Sequence, residues 1–242
     1  MEVVVGSDRE SLGRLAASLV LDRLSADPGC VLGVATGSSL MTTYRALADA
    51  RRNGRDFSRV RCVALDEYVG LPESDPRSYH AFVRREIADP LGVPAENLLV
   101  PDGNTPDESR AGAAFEDALR DVGGVGVQLL GIGRNGHLGF NEPGSSFGSR
   151  TRPVRLSATT RADNARFFPQ PGDVPTHALT QGLATILEAS TIVLVASGSH
   201  KAAAVAAAVE GPVTEACPAS VLQRHPRTTV IVDQDAAGNL TR

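Results

Sequence analysis

The sequence predicts an α/β protein: a Rossmann-like, doubly wound and mostly parallel sheet with helices on both faces. Three observations carry that expectation. Seven short apolar runs recur along the 242 residues, with helix-like stretches between them. Several runs are continuous rather than alternating, as in strands buried on both faces of a parallel sheet. Strand and helix signals alternate from one end of the chain to the other, which is the pattern of a doubly wound sheet.

The elements follow in order. The first run is Val3–Val5. Ser7-Asp8-Arg9-Glu10 then has capping-box spacing, and Leu12, Leu15, Ala16 and Leu19 supply the apolar face of a helix. Val31–Ala35 leads through Thr36-Gly37-Ser38-Ser39 into a helix starting near Leu40. Val60–Leu65 ends in Asp66-Glu67-Tyr68, and Leu98–Val100 is followed by Thr105-Pro106-Asp107-Glu108, a second capping box with proline at the first helical position. Val125–Leu130 runs into Gly131–Pro143, a loop with four glycines, a histidine and a glutamate. Residues 143–175 are rich in Gly, Ser, Pro and Arg with weak periodicity; that length favours a lid or binding segment. Leu179, Leu183, Ile186 and Leu187 give another helical face. Ile192–Ala196 precedes Ser197-Gly198-Ser199-His200-Lys201 and an alanine-rich helix, and Thr228–Val232 is the last run. No repeat or linker divides the chain, so one domain over 1–242 is expected.

Composition excludes several classes. Net charge is −4, with no clustered basic face for nucleic acid. No apolar run reaches membrane-span length, and no signal-peptide pattern opens the chain, so a cytoplasmic protein is expected. Cys30, Cys62 and Cys217 are far apart and read as small buried hydrophobes; their spacing fits no metal site. Of 24 basic residues one is lysine, Lys201, and the other 23 are arginine. A position that keeps lysine in such a chain points to a need for a compact ammonium.

In open α/β sheets, ligands bind beyond the carboxyl ends of the strands. Four strand ends carry chemistry. Thr36-Gly37-Ser38-Ser39 offers hydroxyls and backbone N–H groups at a helix start, suited to phosphate, although serine and threonine are also ordinary N-caps. Of Asp66 and Glu67, adjacent in extended backbone, at most one faces a given site, and the sequence leaves open which. His137 and Glu142 form a candidate acid/base pair in the glycine-rich loop; Asn135 and Asn141 read as turn formers. Lys201, in the first turn of a helix, opposes the macrodipole unless an anion binds there. Together these residues suggest a cofactor-free enzyme that moves protons on a small sugar phosphate.

At these residues the chain resembles the glucosamine-6-phosphate deaminase family. The matching segments are Ala35-Thr36-Gly37-Ser38, Leu65 through Leu71, Gly131 through Pro143, Ser145-Ser146, Arg161 through Phe168, Gly198 through Lys201 and Val209-Glu210-Gly211-Pro212, in family order. The resemblance implies conversion of glucosamine 6-phosphate and water to fructose 6-phosphate and ammonia by a hydrolase or isomerase of amino-sugar catabolism, with no cofactor and no metal. It implies Asp66 as the base between C2 and C1, His137 as the ring-opening group with Glu142 as its carboxylate partner, and Thr36, Gly37, Ser38, Ser39, Arg166 and Lys201 as phosphate contacts. Asn135 stands where some members carry aspartate; it is expected to orient the imidazole ring by hydrogen bonding, leaving Glu142 as the only carboxylate on the histidine. In the allosterically regulated members a lysine stands two positions beyond Arg152, where this chain has Val154, and the chain stops at Arg242; Ser145, Ser146 and Arg152 are retained, and no activation by N-acetylglucosamine 6-phosphate is expected. A homo-oligomer is compatible with the sequence, and neither a nucleic-acid nor a membrane partner is expected.

Two other readings compete. A 6-phosphogluconolactonase would share the glycine-rich loop and histidine but is not expected to show Phe140-Asn141-Glu142-Pro143 or Asp66-Glu67-Tyr68. A non-catalytic sugar-phosphate sensor would need a DNA-binding segment, whereas the first strand starts within five residues of Met1, and it would have no use for Asp66, His137 and Glu142 together. Within the family, the gluco and galacto epimers differ in one hydroxyl, which the sequence does not resolve.

Overall fold

The computed structural model describes residues 1–105 and 107–241. In chain order the elements are β1 (Glu2–Gly6), α1 (Arg9–Ala26), β2 (Val31–Val34), α2 (Met41–Arg52), β3 (Arg61–Ala64), β4 (Asp66–Tyr68), α3 (Tyr79–Val83), α4 (Asp89–Leu91), β5 (Leu98–Leu99), α5 (Glu108–Asp121), β6 (Val127–Leu130), β7 (Arg152–Arg155), α6 (Ala158–Asn164), β8 (His177–Thr180), α7 (Leu183–Leu187), β9 (Thr191–Ala196), α8 (Ala202–Val209) and β10 (Thr228–Asp233). A π-helical stretch, Arg84–Ala88, joins α3 to α4.

All seven apolar runs become strands of one sheet, ordered β1-β10-β9-β6-β2-β3-β5. Every pairing in it is parallel. The continuous runs have the reason anticipated: β2 and β6 are buried at all four positions. From β2 the chain winds outward through β3 to β5, and from β6 it winds the other way through β9 to β10. The order therefore reverses between β2 and β6, and a crevice opens beyond the strand ends at such a reversal. The loops after β9, β6, β2 and β3 lie side by side along it.

A second, antiparallel sheet, β4-β8-β7, has no counterpart in the sequence reading. Its strands β4 and β7 are made mostly of polar and charged residues rather than an apolar run, and β7 shows no buried position. Leu179 pairs with Glu67 and Pro153 in this sheet rather than joining a helical face; α7 starts only at Leu183. Residues 143–175 hold β7, α6 and two 3-10 turns, Ala165–Phe167 and Pro171–Asp173, so the segment is structured. Phe168 and Val174 anchor it in a small apolar cluster with Tyr68, Phe140, Leu156 and Ala178.

Several boundaries shift. The N-cap of α1 is Asp8, not Ser7: its carboxylate accepts from the Ser11 N–H at 2.7 Å and the Ser11 hydroxyl accepts from the Asp8 N–H, so Ser11 does the work expected of Glu10. The buried row of α1 is Leu12, Ala16, Val20 and Leu24, at i, i+4 spacing, while Leu15 is 37% exposed. The start of α5 lies at Asp107, whose carbonyl accepts from Arg110 and Ala111, and Thr105 sits outside it; the proline expected at the first helical position, Pro106, lies outside the described residues. All three cysteines are buried and unpaired with one another, in keeping with their reading as small hydrophobes. No helix among the described residues is long and apolar enough to cross a membrane.

Candidate active site

A cleft of about 290 Å3 opens at the reversal, at the small end of the range for ligand sites. It brings together Thr36, Gly37, Ser38 and Ser39 after β2, Asp66 after β3, His137 after β6, Lys201 after β9 and Arg166 from the 143–175 segment. Glu142 and Asn135 stand behind His137 instead of in the cleft wall.

The hydroxyl loop after β2 does not cap its helix. The N-cap of α2 is Leu40, with no side-chain hydrogen bond, so the ordinary capping role of Ser38 and Ser39 is not in use. Both residues line the cleft, at a helix start suited to an anion.

The structure separates Asp66 from Glu67. Pleating of β4 sends Asp66 to the cleft, where it is 5% exposed. Burial, and then the neighbouring Glu67, pushes its carboxyl up to about 8. Glu67 points away and accepts the backbone N–H groups of Tyr68, Tyr79 and His80 at 2.7, 2.9 and 2.7 Å.

Two glycines explain how close the histidine loop comes. A Cβ on Gly133 would lie 2.3 Å from the His137 ring, so the imidazole packs on bare backbone. Gly139 has φ +56°, and a Cβ there would sit 3.2 Å from the Asp66 carboxylate. The loop can thus press against Asp66 only with glycine at that point. Asn141, fully buried, pins the loop by donating to the carbonyls of Leu138 and Gln181 at 3.0 and 2.8 Å, the turn-forming role anticipated for it.

His137 Nδ1 is 3.6 Å from Glu142 Oε2, an ion-pair separation just outside hydrogen-bond length, which leaves Nε2 for the cleft. Glu142 Oε1 accepts from Ser157 Oγ at 3.1 Å and from Thr160 Oγ1, both at the start of α6. The imidazole, then Thr160 and Asn135, hold the Glu142 carboxyl down at about 2 against partial burial. Asn135 forms the turn expected of it but makes no hydrogen bond to the imidazole ring. Its Nδ2 donates to Glu142 Oε2 at 2.7 Å and its Oδ1 accepts from the His137 backbone N–H at 3.3 Å, so it touches the carboxylate and the loop rather than the ring. The amide shares Glu142 Oε2 with the imidazole, a contact across seven residues of loop.

Lys201 closes a 3-10 turn, Ser199–Lys201, and is the N-cap of α8. Its ammonium donates to the Ile132 carbonyl at 2.6 Å, a local tie across to the β6 loop that the sequence did not suggest. Burial, and then Arg134 and Arg166, lower its pKa, with Asp163 opposing. An anion would relieve both the burial and the cation–cation repulsion.

Sequence reasoning missed Arg9, Tyr79, Arg134, Thr160 and Asp163, all of which line the cleft. Only Thr160 had a local signal: Ser157 caps α6 by accepting its N–H at 3.0 Å, a spacing legible as Ser-x-x-Thr. The cleft is thus lined by four cations, Arg9, Arg134, Arg166 and Lys201, and by the carboxyls Asp163 and Asp66, the latter holding its proton up to about pH 8.

A family model described as glucosamine-6-phosphate isomerases/6-phosphogluconolactonase matches residues 8–231. A glucosamine-6-phosphate deaminase of Cutibacterium acnes is 51% identical over 242 residues, covering 100% of this chain and 93% of that protein. One of Streptomyces coelicolor is 51% identical over 244 residues, covering 99% and 93%. Among solved structures, a monomeric glucosamine-6-phosphate deaminase superposes with TM-score 0.95 at 40% identity, covering 99% of this chain and 100% of that one. A 6-phosphogluconolactonase of Trypanosoma brucei shares the fold, with TM-score 0.81 at 20% identity over 99% and 98% of the two chains. This chain therefore belongs to the glucosamine-6-phosphate isomerase/6-phosphogluconolactonase family.

Proposed function

We propose that the protein is a glucosamine-6-phosphate deaminase, converting glucosamine 6-phosphate and water to fructose 6-phosphate and ammonia. The observation that carries this reading is one cleft in which a buried carboxyl, an imidazole backed by a carboxylate, and a hydroxyl-and-cation set face one another. The deaminase names of relatives about half identical over nearly the whole chain support it. Its class is isomerase and deaminase, narrower than the hydrolase or isomerase anticipated from the sequence.

In this reading Thr36, Gly37, Ser38, Ser39, Arg166 and Lys201 hold the phosphate, and Arg9 and Arg134 add positive charge around it. Binding energy from phosphate, remote from the reacting carbons, orients the sugar. His137 takes the O1 proton and delivers it to O5, opening the ring; Glu142 stabilises the imidazolium formed on the way. Asp66 removes the C2 proton of the open aldose as one proton of the C2 ammonium passes to O1, giving a C1–C2 enolamine, and then returns its proton to C1, leaving a C2 iminium. Water adds to C2 and ammonia departs, giving the ketose. Asn135 acts through Glu142, as a positioning residue. Residues 143–175 supply Thr160 to Glu142 and Arg166 to the cleft, so we assign them the role of a lid on a single domain. We place this small-molecule enzyme in the cytoplasm, with no activation by N-acetylglucosamine 6-phosphate.

The test is direct. Incubation with glucosamine 6-phosphate is expected to yield ammonia and fructose 6-phosphate in equal amounts, with no hydrolysis of 6-phosphogluconolactone in a parallel assay. Absence of ammonia rejects the reading; lactone hydrolysis alone would favour the lactonase. Lys201→Arg is expected to raise KM about tenfold with little change in kcat, because a planar guanidinium cannot both reach the Ile132 carbonyl and present a compact charge to phosphate. An unchanged KM would remove Lys201 from the phosphate site.

A further inference from the structure

Glu67 is the carboxylate of the Asp66-Glu67-Tyr68 segment that the reaction leaves unused, yet it is only 3% exposed. A buried glutamate needs a reason. Its Oε1 accepts from the Tyr68 and Tyr79 N–H groups and its Oε2 from the His80 N–H. Tyr79 and His80 are the first two residues of α3, and the Ser78 hydroxyl takes the Ala81 N–H at 3.0 Å. The orphan donors of this helix start are thus satisfied partly from the strand that carries Asp66. Glutamine is a poor substitute: it has one side-chain oxygen for three N–H groups and would turn its own N–H toward one of them.

Tyr79 rides on this helix start. It lines the cleft, its ring stacks on Phe140 at 6.0 Å and packs against Tyr68 at 4.7 Å, and its hydroxyl donates to the Tyr68 hydroxyl at 3.3 Å. Phe140 belongs to the His137 loop. One carboxylate therefore ties together the Asp66 strand, the cleft-lining tyrosine and the aromatic contact to the ring-opening loop.

Resting on the deaminase reading, we propose that Glu67 is a positioning residue for sugar binding and for the ionisation of Asp66: its carboxylate locks Tyr79 into the cleft wall and sets a negative charge next to Asp66. Among the described residues, Glu67 is faced by the titratable groups Asp66, Tyr68, Glu73, Tyr79 and His80. His80 Nε2 is turned toward Glu73, 3.9 Å away. The charge of Glu67 is the second cause, after burial, that holds the proton on Asp66. Removing it makes Asp66 ionise at lower pH.

The experiment follows ammonia release by the purified full chain across pH. If the wild type releases none, the functional reading fails and Glu67 is not yet at issue. With an active wild type, Glu67→Gln is expected to raise KM about tenfold and to move the acid limb of kcat/KM about one pH unit toward acid. Ser78→Ala loosens the same helix start and keeps the charge, so KM is expected to rise while the limb stays. A folded Glu67→Gln enzyme that loses kcat alone, with KM and limb unmoved, overturns the proposal. Should that variant melt below the assay temperature, Glu67→Asp decides instead. Aspartate keeps the charge but reaches too short for all three N–H groups, so KM is expected to rise with the limb in place, and a wild-type KM overturns the proposal.

Discussion

Asp66→Asn is expected to lower kcat for glucosamine 6-phosphate by about 10³-fold or more and, in the same protein, to raise Tm at alkaline pH. Both effects come from one buried carboxyl. Asp66 is pushed up to about 8 in the folded state from an ordinary 3.8. The folded protein therefore holds a proton that the unfolded chain gives up. The stability this provides is complete below about pH 4 and drains away as pH climbs through 8. Asparagine keeps the neutral shape and has no proton to lose. The Tm of the variant should match the wild type near pH 4, exceed it increasingly from there to about pH 8, and keep a constant lead above that, followed by calorimetry in matched buffers. The same titration sets the activity profile. In free enzyme Asp66 must lose its proton to act as base, so the acid limb of kcat/KM should lie near 8. Once the sugar's C2 ammonium is beside it, the ionised form is favoured, and the limb of kcat should lie at lower pH than that of kcat/KM. Coincident limbs, or a Tm difference that does not grow with pH, would show that Asp66 is ionised in the resting protein.

How much of this was visible in the sequence depends on how local each signal is. The seven sheet strands are apolar runs long enough to announce themselves, and burial on both faces makes them continuous. Their C-terminal loops carry Thr36–Ser39, Asp66, His137 and Lys201, and the sheet order sets those four loops next to one another. The small sheet was invisible because β4 and β7 hide among polar residues and both pair with β8, which lies more than a hundred positions on from β4. The choice between Asp66 and Glu67 needed the start of α3, twelve residues on, to claim one of the two carboxylates. Arg9 and Arg134 carry no pattern of their own; they matter because α1 and the β6 loop meet at the cleft mouth. Asn135 misled for a similar reason. Its position suggested the ring, while the fold turned its amide to Glu142.

That placement of Asn135 makes Glu142 the group to test. Its carboxylate receives the Ser157 and Thr160 hydroxyls on Oε1 and Asn135 Nδ2 on Oε2, with His137 Nδ1 3.6 Å away. Glu142→Gln keeps the volume and one acceptor oxygen. If that oxygen stays with Ser157 and Thr160, the new amide nitrogen faces two donors, Asn135 Nδ2 and any protonated His137. If it flips, the hydroxyls lose their acceptor. Either way the imidazolium loses its counter-charge, and kcat is expected to fall about 10²-fold with KM changed little. Asn135→Ala removes one of the contacts that hold the carboxylate, so a smaller loss, about tenfold, is expected from it. Steady-state kinetics of the two variants and their double mutant check the arrangement. If Asn135 works only through Glu142, the double mutant should be no slower than Glu142→Gln alone. Multiplied losses would mean that Asn135 reaches the ring by itself, and a Glu142→Gln enzyme near wild-type speed would mean that His137 opens the sugar without a carboxylate behind it.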